Sequence, residues 1–428
     1  MSDYTNEELI FGLDIGTRTV VGIVGCKTNN KFKILGCESI EHEERAMLDG
    51  QIHDIQKVCK AVYQIKTTLE QKLNIQLTQV AIAAAGRALN TQIISVESDH
   101  EEIQEFTAAD VHNLELYGVE KAKDEQQKVG TKMDYFCVAY SVINYYLDGY
   151  IISNLEGHKG MSIGAKMIAT FLPKLVIDSL YGVTERCGLT VTHLTLEPIA
   201  AINAVIPENL RLLNLALVDI GAGTSDIAIT KDGSVVAYGM IPIAGDEVTE
   251  AIVHKYLVDF YTAEKIKQQL TVSEVITFED ILGLPQQVTT LEVKQVILET
   301  INHLTQSIAD KILELNGDAP PNAVFCVGGG SQMLSVIENL ATFLKLPEQR
   351  VALRTSQNVS EVLDDAGIVN GPEMITPLGI CITAMKNKYS QFVTVTLNDK
   401  NVQLLNAKKL TILDAIVASG IEHTDIFP

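Results

Sequence analysis

The sequence predicts an α/β protein built from two related halves around a ligand cleft, and three glycine-rich turns carry that prediction. The first is Asp14-Ile15-Gly16-Thr17-Arg18-Thr19, inside the apolar run 9–24; the second is Asp219-Ile220-Gly221-Ala222-Gly223-Thr224, inside 215–229. In each, an apolar run ends in a carboxylate and a turn, and β-branched residues resume at once, the pattern of a hairpin with an acid at its bend. A carboxylate there is costly unless it is paired or faces a cation, while small turn residues expose backbone N–H groups that receive phosphate. The third turn, Gly328-Gly329-Gly330-Ser331, follows the apolar strand 323–327 and leads toward a helix expected from Met333. A turn of that kind lets a ligand approach the backbone closely, near a helix N-terminus. Each motif alone is weak, but the three in this order point to one phosphorylated nucleotide gripped between two halves.

Composition narrows the class. With 428 residues and 46% hydrophobic content, the chain can bury more than one core, and two or three domains are expected. No apolar stretch approaches the roughly 20 residues of a membrane span. The first residues, with Asp3, Glu7 and Glu8, lack signal-peptide character. Seven cysteines form no CxxC pair and read as reduced thiols of a cytosolic protein. A formal net charge of −21 argues against binding nucleic acid or anionic lipid, which need clustered Lys and Arg. It does not exclude a nucleotide: two carboxylates facing an anion require a bridging cation, and Mg²⁺ suits hard oxygen ligands and phosphates. A metal–nucleotide is therefore the expected ligand, and no GxxxxGK[ST] pattern occurs, which removes the commonest alternative way of holding one.

Periodicity places the remaining elements. A strand is expected at 32–39, an amphipathic helix at 52–73 and a buried strand at 80–85. After Gly86 come a strand-like run at 92–96, a capping box from Thr107 to Asp110, and a charged helix to about Lys128. A strand at 167–172 precedes a helix at 174–187 closed by Gly188, and Glu197-Pro198 opens an Ala-rich helix. Beyond the second hairpin lie a strand at 235–243, a helix at 248–256, a polar, helical stretch at 262–318, and a final helix from about Thr376. The tail reads as strands at 392–397 and 402–405 and a helix at 411–420, a hairpin-helix module of β-grasp type. Fewer than about 40 residues rarely hold a core alone, so this module is expected to pack on the body or to belong to a larger region beyond Pro428.

The three turns resemble the phosphate-1, phosphate-2 and adenosine motifs of the actin, Hsp70 and sugar kinase superfamily. Within it, Cys187-Gly188-Leu189, the stretch 217–229, Ile241-Pro242-Ile243-Ala244-Gly245 with Thr249, and Thr376-Pro377-Leu378-Gly379 resemble the FtsA branch of cell division proteins. Glu197-Pro198-Ile199-Ala200-Ala201 is similar to Hsp70. The similarity runs from about 9 to 386. It implies a duplicated actin-like ATPase fold with two large domains around a nucleotide cleft and two smaller subdomains. These are domain 1A at 9–86, an FtsA-type subdomain 1C at 87–171, domain 2A at 172–244 and 321–388, subdomain 2B at 245–320, and the C-terminal module at 389–428.

The resemblance also implies roles. Asp14 and Asp219 would hold hydrated Mg²⁺ on the β- and γ-phosphates, and Glu197 would orient an attacking water beside Asp219. Gly16, Thr17, Arg18, Gly221, Ala222, Gly223 and Thr224 would offer donors to the phosphates. Gly245, Glu264 and Lys267 would approach the adenosine from the small subdomain, and Gly328, Gly329, Gly330 and Ser331 would pack against it. Plainer readings stand beside these: turn-capping aspartates, a solvated Arg18, a surface Glu264–Lys267 pair at i, i+3, and a Glu197 favoured by a helix dipole. The implied function is an ATP-binding, weakly hydrolysing protein that polymerises and links the tubulin-like division protein FtsZ to other division components, in the cytoplasm at the inner face of the membrane. The alternative is an Hsp70-like or assembly ATPase, PilM-like in a pilus or EutJ-like in a microcompartment, without filaments. The usual basic amphipathic tail for membrane attachment is not recognisable, which leaves membrane contact open.

Overall fold

The computed structural model describes residues 9–42, 46–48, 50–86, 88–128, 134–386, 392–397 and 400–405, with Ile412 and Ile416 beyond them. The acidic N-terminal residues, the expected boundary at Arg87, the end at Pro428 and, apart from Ile412 and Ile416, the helix expected at 411–420 lie outside the described residues.

The first half begins with β1 (Leu9–Ile15) and β2 (Thr19–Thr28), antiparallel from Leu9 opposite Cys26 to Ile15 opposite Val20. The Gly16 N–H donates to the Thr19 carbonyl at 2.9 Å and closes the turn. β3 (Lys31–Glu41) continues the meander, and a short hairpin of β4 (Met47–Leu48) and β5 (Gln51–Ile52) precedes α1 (Ile55–Leu73). The helix starts three residues later than its apolar pattern suggests because the Asp54 carboxylate caps Gln56 and Lys57 N–H, fixing the first turn there. Val58, Val62, Ile65 and Leu69, at helical spacing, bury its inner face. β6 (Gln79–Ala84) then lies parallel to β1.

A four-stranded antiparallel module follows, comprising β7 (Asn90–Glu105), α2 (Ala108–Lys128), β8 (Tyr135–Leu147), β9 (Tyr150–Ile152) and β10 (Lys159–Pro173), in the order β7-β10-β8-β9. β7 and β10 far outrun the runs expected at 92–96 and 167–172. The outer half of β7 is polar and shows no apolar alternation, yet the backbone ladder from Glu105 opposite Lys159 holds it to β10. Thr107 N–H and Oγ1 both donate to Asp110 Oδ2, at 2.8 and 2.6 Å, and set the start of α2. β10 passes into α3 (Lys174–Arg186), which ends at Gly188 with φ +70° before β11 (Thr190–Leu196), parallel to β6.

The second half repeats the first. After α4 (Glu197–Val205), the strands β12 (Leu215–Ile220), β13 (Ser225–Lys231) and β14 (Ser234–Ile241) form an antiparallel meander. Then come α5 (Gly245–Tyr256), α6 (Phe260–Gln269), the hairpin β15 (Val275–Glu279) and β16 (Pro285–Thr289), and α7 (Thr290–Leu315). β17 (Ala323–Val327), α8 (Val336–Phe343), β18 (Val351–Leu353), β19 (Val362–Leu363) and α9 (Ile375–Lys386) complete it. The large sheets run β11-β6-β1-β2-β3-β19 and β14-β13-β12-β17-β18. Both contain a three-stranded meander with two parallel strands added beyond the hairpin's first strand, the first sheet carrying β19 besides at its other edge, so the duplicated motif sits on a duplicated topology.

Two expectations are corrected. The stretch 262–318 is not wholly helical; in β15 only Ile276 is buried and its neighbours Val275 and Thr277 are exposed, too few apolar residues to show a period of two. The helix expected from Met333 starts at Val336, because Gly329–Gln332 forms a 3₁₀ turn and Ser335 takes a left-handed φ of +61°. The third glycine turn therefore does not open directly on an α-helix.

One apolar core draws on both large sheets, including Val21, Ile23, Ala201, Leu217 and Leu378. α4 and α9 cross at its centre, where Gly379 lies against the Ala200 carbonyl so closely that any Cβ would overlap it. That contact holds the two hairpins in a fixed relation. β20 (Phe392–Leu397) and β21 (Lys400–Leu405) pair antiparallel with each other. All seven cysteines are free, and no helix among the described residues is long and apolar enough to cross a membrane.

Candidate functional site

Asp14 stands opposite Val21 near the end of β1, and Asp219 stands opposite Asp226 near the end of β12. Both aspartates keep partial exposure while protein atoms crowd them on their other sides. Burial, then the charge of Asp219, pushes Asp14 up to about 7. Burial, then Asp219, likewise pushes Asp226 up to about 7 against the help of the Thr224 hydroxyl. Glu197, the first residue of α4 with Pro198 behind it, lies well above the ordinary carboxylate range through burial and then Asp14, Asp226 and Asp219. The structure thus brings the predicted Asp14, Asp219 and Glu197 within each other's field.

The sequence reading missed Asp226. It is 2% exposed, its Oδ2 accepts from Thr224 Oγ1 at 3.1 Å, and its Oδ1 is buried without any partner. The signal was available: in a hairpin with this turn, the seventh residue after Asp219 falls directly across the ladder from it. Like charges so placed repel, which makes sense only where a proton or cation neutralises them. The orphaned oxygen and four mutually repelling acids fit a divalent cation. Among the described residues, no group of three or more His, Cys, Asp or Glu side chains is gathered as a metal cage. The donor set therefore suits a hydrated ion shared with phosphates, the habit of Mg²⁺.

The two turns are braced from behind. Thr17 Oγ1 accepts from Gly50 N–H at 3.2 Å, and Gly221 N–H donates to the Thr224 carbonyl at 2.9 Å. The N–H groups of Gly245 and Asp246, opening α5, donate to the carbonyls of Gly221 (3.2 Å) and Ala222 (2.8 Å). The 221–222 carbonyls thus face the start of α5.

Arg18 is not a solvated side chain. Its guanidinium pairs with Asp246 and, at 2.5 Å, with Glu264 Oε1, and lies 5.4 Å from the centre of the Phe260 ring. It therefore ties the first hairpin to α5 and α6. Glu264 and Lys267 are not a surface pair either: Glu264 is 7% exposed, and Lys267 Nζ donates to Glu264 Oε2 (2.8 Å), Thr249 Oγ1 (2.7 Å) and the Gly245 carbonyl (3.0 Å). Against the penalty of burial, Lys267 and Arg18 hold Glu264 down to about 2. Burial pulls Lys267 down while Glu264 pulls it up; three acceptors around one ammonium decide for the charged form.

At the third turn Gly328 adopts φ +81°, and a Cβ there would overlap both Asp219 Oδ1 and the Ile220 carbonyl. Gly330 packs on Ile220, and Gly329 is exposed. Ser331 is buried with its hydroxyl donating to the Val327 carbonyl at 2.5 Å, so here it shapes the turn. Thr376, at the start of α9, donates to Asp219 Oδ2 at 2.5 Å and was not singled out as a site residue from sequence. A separate cavity of about 210 Å³ lies behind the first hairpin, lined by Ile40, His42, Ala46, Lys57, Lys60 and Gln64 among others. It holds neither the paired aspartates nor a glycine turn, and the chemistry points to the cleft instead.

The family model described as cell division protein FtsA matches residues 216–379. Cell division protein FtsA of Bacillus subtilis is 24% identical over 89% of this chain and 84% of its own length. That of Pseudomonas aeruginosa is 25% identical over 91% of this chain and 92% of its own. Among solved structures, a PilM-PilN type IV pilus biogenesis complex matches with a TM-score of 0.63 at 14% identity, covering 88% of this chain and 98% of that one. The ethanolamine utilization protein EutJ of Carboxydothermus hydrogenoformans matches at 0.51 and 18% identity, over 87% and 89%. MreB5 of Spiroplasma citri bound to ADP matches at 0.50 and 15%, over 90% and 99%. These likenesses place the fold among actin-like ATPases.

Proposed function

Because this chain is FtsA-like and has the actin-like ATPase fold, we propose that it binds Mg²⁺ and ATP between its two acidic hairpins and assembles head to tail. In that assembly it links an FtsZ-like division protein to other division components at the cytoplasmic face of the membrane. The observation that carries this reading is the facing pair Asp14 and Asp219, with the orphaned oxygen of Asp226 beside them. Asp14, Asp219 and Asp226 would hold a hydrated Mg²⁺. Residues 17–18 and 222–224 would present N–H groups to the phosphates, since the Gly16 and Gly221 N–H groups close their own turns, and Gly328 and Gly329 would line the nucleoside side. Bound Mg²⁺ supplies charge neutralisation between carboxylates and phosphates. With a cation offsetting the charges of Asp14, Asp219 and Asp226, Glu197 would accept a hydrogen bond from a water at the end of the phosphate chain and so aim it.

Two unlike apolar surfaces support assembly. On the four-stranded module Ile103, Tyr150 and Ile151 are 70%, 81% and 69% exposed, and around the β15–β16 hairpin Val272, Ile281 and Leu282 are 78%, 66% and 73% exposed. Exposed apolar residues at two different places are candidate contact sites, and two unlike surfaces meeting would give an open, heterologous contact that grows into filaments. Sedimentation and electron microscopy with Mg²⁺ and ATP test this: filaments are expected, and they should disappear with Tyr150→Asp plus Ile151→Asp while ATP binding persists. Monomers at every concentration would overturn the assembly and favour a PilM-like or EutJ-like component instead.

Turnover separates from binding. Glu197→Ala should leave ATP affinity within about threefold while lowering hydrolysis by about 100-fold, because a water-positioning carboxylate acts chiefly in the transition state. Equal hydrolysis rates in the two proteins remove Glu197 from the chemistry.

A further inference from the structure

α9 does more than fill the core between the two halves. Its first turn carries Thr376, which is 6% exposed and whose Oγ1 donates to Asp219 Oδ2 at 2.5 Å. Threonine in a helix ordinarily returns its hydroxyl to the carbonyl four residues earlier, as Thr383 does to Gly379 at 2.7 Å. The corresponding acceptor for Thr376 is the Pro372 carbonyl, and that carbonyl receives the Gly328 N–H at 3.1 Å. The Thr376 hydroxyl is thus turned outward to the carboxylate, and the segment that would otherwise hold it braces the third glycine turn. Gly328 presses its bare Cα side against Asp219 Oδ1, where any side chain would collide. One oxygen of Asp219 is therefore gripped by a hydroxyl, and the other lies beside a residue that leaves it uncovered.

We propose that Thr376 is a positioning residue for the metal-binding carboxylate. By holding Asp219 Oδ2, it fixes the rotation of the carboxyl group so that Oδ1 faces the hydrated Mg²⁺ of a bound metal–nucleotide complex. The proposal rests on the reading of the cleft as a Mg²⁺ and ATP site. The grip is rigid because α9 cannot slide: Ile375 and Leu378 are fully buried and Gly379 is seated on the Ala200 carbonyl. The same helix packs on α4, whose first residue is Glu197, so one element holds the metal carboxylate and supports the candidate water-positioning residue.

The test uses the full chain and a fluorescent ATP, titrated with Mg²⁺ and, separately, bound in EDTA. Thr376→Val keeps the shape and removes the donor. It should raise the Mg²⁺ concentration for half-maximal tightening about tenfold, the size of a hydrogen bond to a charged group. Its ATP affinity in EDTA should stay within about twofold, and Thr376→Ser should restore the wild-type Mg²⁺ dependence. An unshifted Mg²⁺ dependence in Thr376→Val, an equal loss in EDTA, or a failure of Thr376→Ser to restore it overturns the role of Thr376 alone. Absence of any Mg²⁺ effect on the wild-type chain overturns the underlying reading of the cleft as well.

Discussion

Asp219→Ala should remove about half or more of the stabilisation that Mg²⁺ and ATP confer on the wild-type chain. A ligand bound only to the folded state at 100 times its dissociation constant adds about 2.7 kcal/mol, and removing a metal-facing carboxylate should leave less than about a tenth of the affinity. The neighbouring substitution should act in the opposite sense without ligand. Asp226→Asn removes one of two acids that face each other across the β12–β13 ladder, one oxygen of which is buried without a partner. Near neutral pH, the ligand-free variant should therefore be more stable than wild type by about 1 kcal/mol or more, while its Mg²⁺-dependent gain falls, the usual exchange between stability and function at a charged site. Thermal unfolding with and without Mg²⁺ and ATP measures both. An Asp219→Ala chain stabilised as fully as wild type would remove the carboxylate pair from nucleotide binding.

How far the sequence speaks depends on which signal each feature leaves. The hairpins were legible because strand, acid, turn and strand are local, and the duplicated motif announced the duplicated sheet. The large sheets needed only apolar runs. The β15–β16 hairpin was not legible, since it is mostly solvated and its ladder rests on backbone groups that side-chain pattern does not report. Arg18 shows another limit. A long cation on a hairpin gives no hint that residues 246 and 264 converge on it, because that meeting depends on how α5 and α6 sit over the first hairpin. Asp226 was within reach of a register argument, whereas Thr376 was not: its partner lies 157 positions away, and only the packing of α9 on the first sheet and on α4 carries its first turn to the end of β12.

The bridge from Arg18 to Asp246 and Glu264 carries the second large effect. Glu264→Gln leaves two cations, Arg18 and Lys267, beside a neutral amide in a site where the ionic side chains keep only 10–20% of their exposure. Breaking a buried ion network from one side costs about 3–5 kcal/mol, and the residual exposure places this one near 3. Arg18→Lys should recover little of what Arg18→Ala loses, because one ammonium cannot reach both carboxylates in the guanidinium's fork. Acid should report the same contact. Glu264 is held near 2 in the folded chain, below its unfolded range, so its contribution is complete above about pH 4.5 and is lost as pH falls toward 2. Between pH 5 and 2 the wild-type chain should lose stability that Glu264→Gln does not lose, and the two unfolding curves should converge. A double-mutant cycle of Arg18→Ala with Glu264→Gln should give a coupling above about 1 kcal/mol. Additive effects together with parallel acid profiles would mean that the first hairpin is not tied to α5 and α6 by this network.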